Sequence, residues 1–235
     1  MKKVIISIVL LVVVMGANVM YLTFFSESSK ALDRYPSMTS LMKSTKEGVD
    51  WKIFTKDEKN PTIIVAPHGG GIEPGTTEIA GSIAKKSNSG YYTFEGLRED
   101  NNSELHVTSS NYDEPKVQKM IGQSKRTVTI HRTSRKGADV YIGGRDSDLK
   151  HKIKKNLTKR GFKVENATGD ISGKSVENIT NKNKRQAGVQ LEISSKTISR
   201  FFKNGDYSRI SRVRANNWSS TMDHFTDGVV AGLKE

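Results

Sequence analysis

The sequence predicts one α/β domain, a mixed β-sheet sandwiched by helices. Three observations predict it: β-branched runs of strand length alternate with helix-period segments from about residue 50 to the end, glycines and prolines punctuate the joins, and no repeat interrupts the alternation. At 235 residues the chain has room for one substantial core and little for a second.

The chain opens MKKVIISIVLLVVVMGANVMYLTFF, two lysines and then an apolar run of 22 residues from Val4 to Phe25. That length suits a membrane-spanning helix, which needs about 20 residues, better than the shorter apolar core of a cleaved signal. Lys2 and Lys3 favour a cytoplasmic N-terminus. The bulk of the chain is then expected outside the cell, either anchored or released by cleavage after Ala31 in SSKA. Residues 1–31 read as signal sequence or membrane anchor, the polar stretch 32–49 as a tether, and 50–235 as the folded domain, beginning near Val49.

Within the domain, NPTIIVAP is a buried strand, and TEIAGSIAKK sets Ile79 and Ile83 four apart with Ala80 and Ala84 beside them, a helix face. GYYTFEG and ELHVTSS read as short strands. EPKVQKMIGQ carries Pro115 in a first-turn position and is a helix, followed by the strand RTVTIH. ADVYIGG is a strand, and Leu149, Ile153 and Leu157 then mark a helix that Gly161 stops. FKVENA and GVQLEIS are strands, and SSKTISRFFKNG and SSTMDHFTDGVVAGLKE close the chain as helices.

Charge and cysteine usage narrow the chemistry. Lys+Arg number 38 against 25 Asp+Glu, a net charge of +13 that attracts polyanions. Aromatics are 7% and the basic residues are spread over many segments, which argues against nucleic acid, whose single-strand binders join basic grooves to stacking platforms. With no cysteine there is no disulfide, thiolate or Cys-zinc chemistry, so any metal sits on His, Asp or Glu.

In α/β folds ligands bind beyond the carboxyl ends of strands, and His68, His131 and Glu192 each fall near such an end. In TIIVAPHGGGIEPGTTEIA the glycines let the backbone turn sharply, so that His68 and Glu73 meet around one point. Zinc takes three such ligands and keeps a water position. Taken alone, His68 is also readable as a satisfied loop histidine, and His131 as a strand cap. In GVQLEIS, alternation puts Val189, Leu191 and Ile193 on one face and Gln190 and Glu192 on the other. Under a covered sheet that carboxylate has the raised pKa of a general base; on an edge strand it is a solvated polar group. His106 is a weaker candidate, and His151 and His224 are surface or packing residues. An anionic intermediate needs a cationic partner, for which Arg98, Arg145, Lys182 and Arg185 lie near the motifs.

PHGGGIEPGTTEIA, LHVTSSNYDEP, TVTIH, YIGGRD and NITNKNKRQAGVQLEIS, in that order and spacing, resemble the poly-γ-glutamate hydrolases of bacteria and their phages over roughly residues 50 to 225. The resemblance implies a zinc hydrolase with a carboxypeptidase-A-like architecture that cleaves γ-glutamyl amide bonds of an anionic capsule polymer. Carried over by position, it implies Zn2+ on His68, Glu73 and His131 and a catalytic carboxylate at Glu192. The chain departs from the family pattern at Asn111, where a histidine is common, at Arg132, where a glycine is common, and at Lys182, where an arginine would give bidentate carboxylate binding. A monomer acting on anionic polymer, without nucleic acid, is expected. Two rivals are a zinc amidase acting on peptidoglycan stem peptides and a non-catalytic surface binder of polyanions.

Overall fold

The computed structural model describes residues 33–235, so the run from Val4 to Phe25 and the position after Ala31 lie outside the described residues. Seven strands form one mixed sheet: β1 (Trp51–Lys56), β2 (Thr62–Gly70), β3 (Gly90–Gly96), β4 (Arg126–Thr133), β5 (Val140–Gly144), β6 (Val164–Asn166) and β7 (Val189–Ser194), in the spatial order β1-β3-β2-β4-β7-β5-β6. The centre, β3, β2, β4 and β7, is parallel; β1 joins β3 and β5 joins β7 antiparallel, and β6 lies parallel to β5. The α/β expectation is met, with helices on both faces.

Alternation along the central strands sends their side chains to two cores. Ile64, Ala66, Val128, Ile130, Val189, Leu191 and Ile193 pack under helices α2 (Thr76–Ser87), α4 (Ser147–Lys159), α5 (Ser195–Arg200) and α7 (Ser220–Lys234). Ile79, Ile83, Leu149, Ile153 and Leu157 supply the helix side of this core, as their spacing predicts. On the opposite face Ile63, Val65, Tyr92 and Phe94 pack under α1 (Met38–Ser44) and α3 (Pro115–Gln123). A short helix, α6 (Arg209–Arg212), completes the set.

Three features differ from the expectations. The stretch expected as a tether contributes α1, whose Met38 and Leu41 are fully buried, and β1, whose residues are mostly exposed, is not marked as a strand by its sequence. ELHVTSS forms no strand and adds nothing to either free edge of the sheet. Two 3-10 turns, Asn102–Leu105 and Ser109–Asn111, flank His106 instead, and the backbone groups between them bond to side chains: Thr108 N–H donates to Asp33 and Val107 C=O faces His68. Finally, β2 and β4 each run two residues beyond their histidine, because pairing resumes at Gly69 with Glu95 after a register shift and continues through Thr133 with Ser194.

Gly70 ends β2 with φ +63°, and a Cβ there would lie 2.5 Å from the carbonyl oxygen of Gly96. Gly70→Ala therefore meets both the left-handed penalty and a backbone clash. It is expected to destabilise the domain by about 2 kcal/mol or more. A thermal midpoint unchanged from the parent chain would contradict this reading of the turn.

Candidate metal centre

The turn after β2 is built to return Glu73 to His68. Glu73 N–H donates to the His68 carbonyl (2.9 Å), Gly71 N–H to Gly96 O (2.9 Å), and Thr76 Oγ1 to Glu73 O (2.8 Å), closing the loop onto the start of α2. A Cβ at Gly69 would strike the hydroxyls of Thr77 and Thr93, so the chain passes where only glycine fits. Tyr112 Oη donates to Pro67 O (2.7 Å) and buttresses the strand just ahead of the histidine.

The loop brings together what the sequence separates. His68, Glu73 and His131 each offer a ligand atom, and these atoms lie within 4.8 Å of one another. His68 and His131 are 2% and 3% exposed, and their ring centroids are 5.0 Å apart. His68 Nε2 lies 2.8 Å from the Val107 carbonyl, which only accepts, so Nε2 carries the hydrogen. That leaves Nδ1 facing Glu73 Oε1 at 3.1 Å, lone pair against carboxylate, an approach that a second ring proton or a cation relieves. A carbonyl that fixes one ring nitrogen and frees the other is the usual support of a metal-binding histidine.

Glu73 Oε2 accepts the Arg132 N–H at 2.8 Å and lies 3.7 Å from His131 Nδ1. Burial acts to raise the Glu73 pKa, but the neighbouring imidazoles of His68 and His131 outweigh it and hold the carboxyl well below its ordinary value. For His131, burial is likewise overcome by the carboxylates of Glu192 and Glu73, and its pKa is raised. His131 Nε2 is buried and has no hydrogen-bond partner. An orphaned ring nitrogen beside a low-pKa carboxylate and a preset His68 fits a bound cation, and the two-nitrogen, one-carboxylate donor set suits zinc.

Glu192 stands beside His131 in the register of β4 and β7. It is 6% exposed, and burial pushes its pKa up to about 7; His131 pulls downward and Glu73 adds to the rise. Gln190 Nε2 donates to Glu192 Oε1 at 2.8 Å, while Asn178 Nδ2 donates to Gln190 Oε1 at 3.0 Å and so fixes which way that amide points. The other carboxylate oxygen has no hydrogen-bond partner among the described residues. A buried carboxylate with one oxygen held, the other free and a pKa near neutrality can move a proton.

Three of the four cations lie at the opposite end of the strands from this cluster. Arg98 lies at the carboxyl end of β3 but is engaged by Asp50 (2.6 Å) and Glu104 (3.0 Å). Arg145, Lys182 and Arg185 lie beyond the amino ends of β4 and β7, about 10 Å or more along the strands from Glu192. Lys182 pairs there with Glu177, and Arg185 with buried Asp146. Asn111 is exposed in its 3-10 turn, and His151 and His224 are exposed on helices α4 and α7. Sequence reasoning did not single out Val107 or Asp33, whose roles are long-range and leave no local pattern, and it placed Gln190 on the face of Glu192 without giving it a role.

The profile of the poly-gamma-glutamate hydrolase family matches residues 35–228 of this chain. The chain belongs to the poly-gamma-glutamate hydrolase family. Among curated relatives it is 36% identical over 185 residues to the SPbeta prophage-derived protein YoqZ of Bacillus subtilis, covering 78% of this chain and 66% of that one. It thus spans just under two thirds of YoqZ. To YndL of the same organism it is 33% identical over 189 residues, covering 80% of this chain and 73% of the relative. Two solved structures are similar throughout. A bacteriophage poly-gamma-glutamate hydrolase superposes with TM-score 0.82 at 31% identity, over 86% of this chain and 97% of that one. A zinc-free apo structure of YndL gives TM-score 0.79 at 31% identity, over 86% and 98%. The hydrolase-family fold therefore extends across the described domain, with the His68–Glu73–His131 cluster at the carboxyl ends of its central strands.

Proposed function

We propose that this chain is a zinc-dependent hydrolase of the γ-glutamyl amide bonds of poly-γ-glutamate. The observation that carries the proposal is the buried His68–Glu73–His131 group beside Glu192, on a chain of this family. His68 through Nδ1, Glu73 and His131 would hold the ion; bound zinc acidifies a water and polarises a carbonyl. Support for zinc in particular comes from the donor set and from YndL, whose apo structure is described as zinc-free. Glu192 takes the proton of the attacking water on its unbonded oxygen and passes it to the departing amine. Gln190 keeps the carboxylate turned for both transfers. The net charge of +13 favours encounter with a polyanion over neutral peptides.

The decisive experiment follows polymer length while the zinc-loaded full chain is incubated with poly-γ-glutamate. Shortening of the polymer is expected. Intact polymer together with release of stem peptides from purified cell walls would reassign the substrate, and polymer binding without any hydrolysis would make the protein a binder.

The apolar run from Val4 to Phe25 and its flanking lysines support placing the domain outside the membrane, anchored or released. Protease added to intact cells is expected to digest an anchored domain, unless the protein has already passed to the medium. A full-length chain recovered from the soluble cytoplasm would overturn this placement.

A further inference from the structure

His106 and Asp33 form a second polar unit against the metal centre, and neither is used by the mechanism above. The His106 ring lies on the His68 ring with centroids 4.1 Å apart and an interplanar angle of 34°. Its Nδ1 is 2.7 Å from Asp33 Oδ1, and Asp33 Oδ2 accepts the Thr108 N–H at 2.6 Å. Both carboxylate oxygens are thus committed, and Asp33 is only 12% exposed. A carboxylate only accepts, so Nδ1 carries the ring hydrogen and the plane of the imidazole is fixed. Nε2 is left with no partner among the described residues, on a side chain that is 37% exposed. The close, tilted approach to His68 puts the ring, and that open nitrogen with it, beside the cluster on a side chain within reach of solvent.

The origin of Asp33 adds to this. The family profile begins at residue 35, and Asp33 lies ahead of it, in the stretch expected to be a tether. Its contact with His106 spans 73 residues. The same entry segment is tied down again by the Arg34–Glu104 pair and by Thr39 N–H donating to Asp113 at 2.8 Å. Were His106 only packing against His68, a partly desolvated carboxylate held on its Nδ1 would be an unneeded cost. Holding a ring at both its plane and its tautomer is what a group that must meet a ligand in one orientation requires.

We propose that His106 is a substrate-contacting residue, hydrogen-bonding the bound γ-glutamyl chain through Nε2 beside the metal centre, and that Asp33 is the positioning residue that sets its tautomer and orientation. This rests on the reading of the chain as a poly-γ-glutamate hydrolase. The segment leading into the domain then completes the substrate site instead of merely tethering it.

The test uses the full chain as parent, Asp33→Asn, His106→Gln and the double variant, with zinc content, kcat and KM measured on each. His106→Gln is expected to lower kcat/KM about 10-fold to 100-fold with zinc stoichiometry at the parent value, and Asp33→Asn to fall in the same range. The double variant should be no worse than His106→Gln alone, since Asp33 acts through the ring. Independent, multiplying losses would overturn the positioning role. Parent-like kinetics in His106→Gln, or zinc loss matching the activity loss, would overturn the substrate contact.

A second readout does not depend on turnover. In the metal-free, 15N-histidine-labelled chain, His106 is expected to show hydrogen on Nδ1, and its Nε2 resonance to move when poly-γ-glutamate is added. His224, exposed on α7 between Asp223 and Asp227, should stay still. Asp33→Asn should move the ring hydrogen to Nε2, because the amide can donate to Nδ1. A His106 resonance blind to polymer, or a tautomer indifferent to Asp33→Asn, overturns the proposal. Failure of the parent chain to cleave polymer while His106 still responds to it would count against hydrolysis alone.

Discussion

Glu192→Gln is expected to keep a full complement of zinc and to lose about 100-fold to 10,000-fold in kcat, the usual range for general acid–base catalysis. The substitution is unusually clean at this position. Gln190 Nε2 already donates to one carboxylate oxygen, and its orientation is locked from behind by Asn178. A glutamine carbonyl accepts that same bond, so the Gln190 amide keeps its acceptor, and the new amide nitrogen takes the place of the unbonded oxygen. What disappears is a basic oxygen whose pKa burial has pushed up to about 7, near the pH at which it has to accept and return a proton. Substrate affinity should therefore hold while turnover collapses. Metal analysis and kcat on one preparation decide it: near-parent turnover removes Glu192 from the proton path, and loss of zinc would make it a ligand instead.

Much of this arrangement was legible in the sequence where a residue's role depends on its own near neighbours. The alternation of GVQLEIS places Val189, Leu191 and Ile193 in the core and turns Gln190 and Glu192 to the other face, because a strand covered on both sides obeys period two strictly. HGGGIE brings His68 and Glu73 together because five residues and three glycines leave the chain little else to do. Sequence proximity misled where strand direction mattered. YIGGRD lies close to the other motifs in the chain, but β5 runs antiparallel to β7, so Gly144 pairs with Val189 and Arg145 leaves the sheet at the end opposite Glu192. Lys182 and Arg185 precede β7 and exit at that same end. Nothing local reveals direction in a mixed sheet. The hold of Asp33 on His106 is hidden for another reason: a single aspartate in a polar stretch carries no period and no motif, and only the packing of α1 against the second core returns it to the site.

Removing the metal, or a ligand, should be felt in stability as well as in rate. His68→Ala and His131→Ala are each expected to abolish hydrolysis and to reduce zinc well below one per chain. In the parent chain, zinc at about 1,000 times its dissociation constant should add roughly 4 kcal/mol to unfolding, seen as a thermal midpoint that rises with free zinc. The ligand variants should show no such rise over the same concentrations. The metal-free proteins should also differ from one another in a way that packing alone would not produce. His131 has a buried ring nitrogen with no partner, so truncating it removes an unsatisfied group; it also strips Glu73 of a neighbouring positive charge. Truncating His68 gives up the bond to Val107 O as well as its contact with Glu73, and returns only a cavity. Without metal, His68→Ala should consequently be the less stable of the two, measured by denaturant midpoint in the presence of chelator. Equal zinc-dependent stabilisation of the parent and both variants would place the ion elsewhere; the reverse order of metal-free stabilities would mean that His131 Nε2 finds a partner in the folded protein.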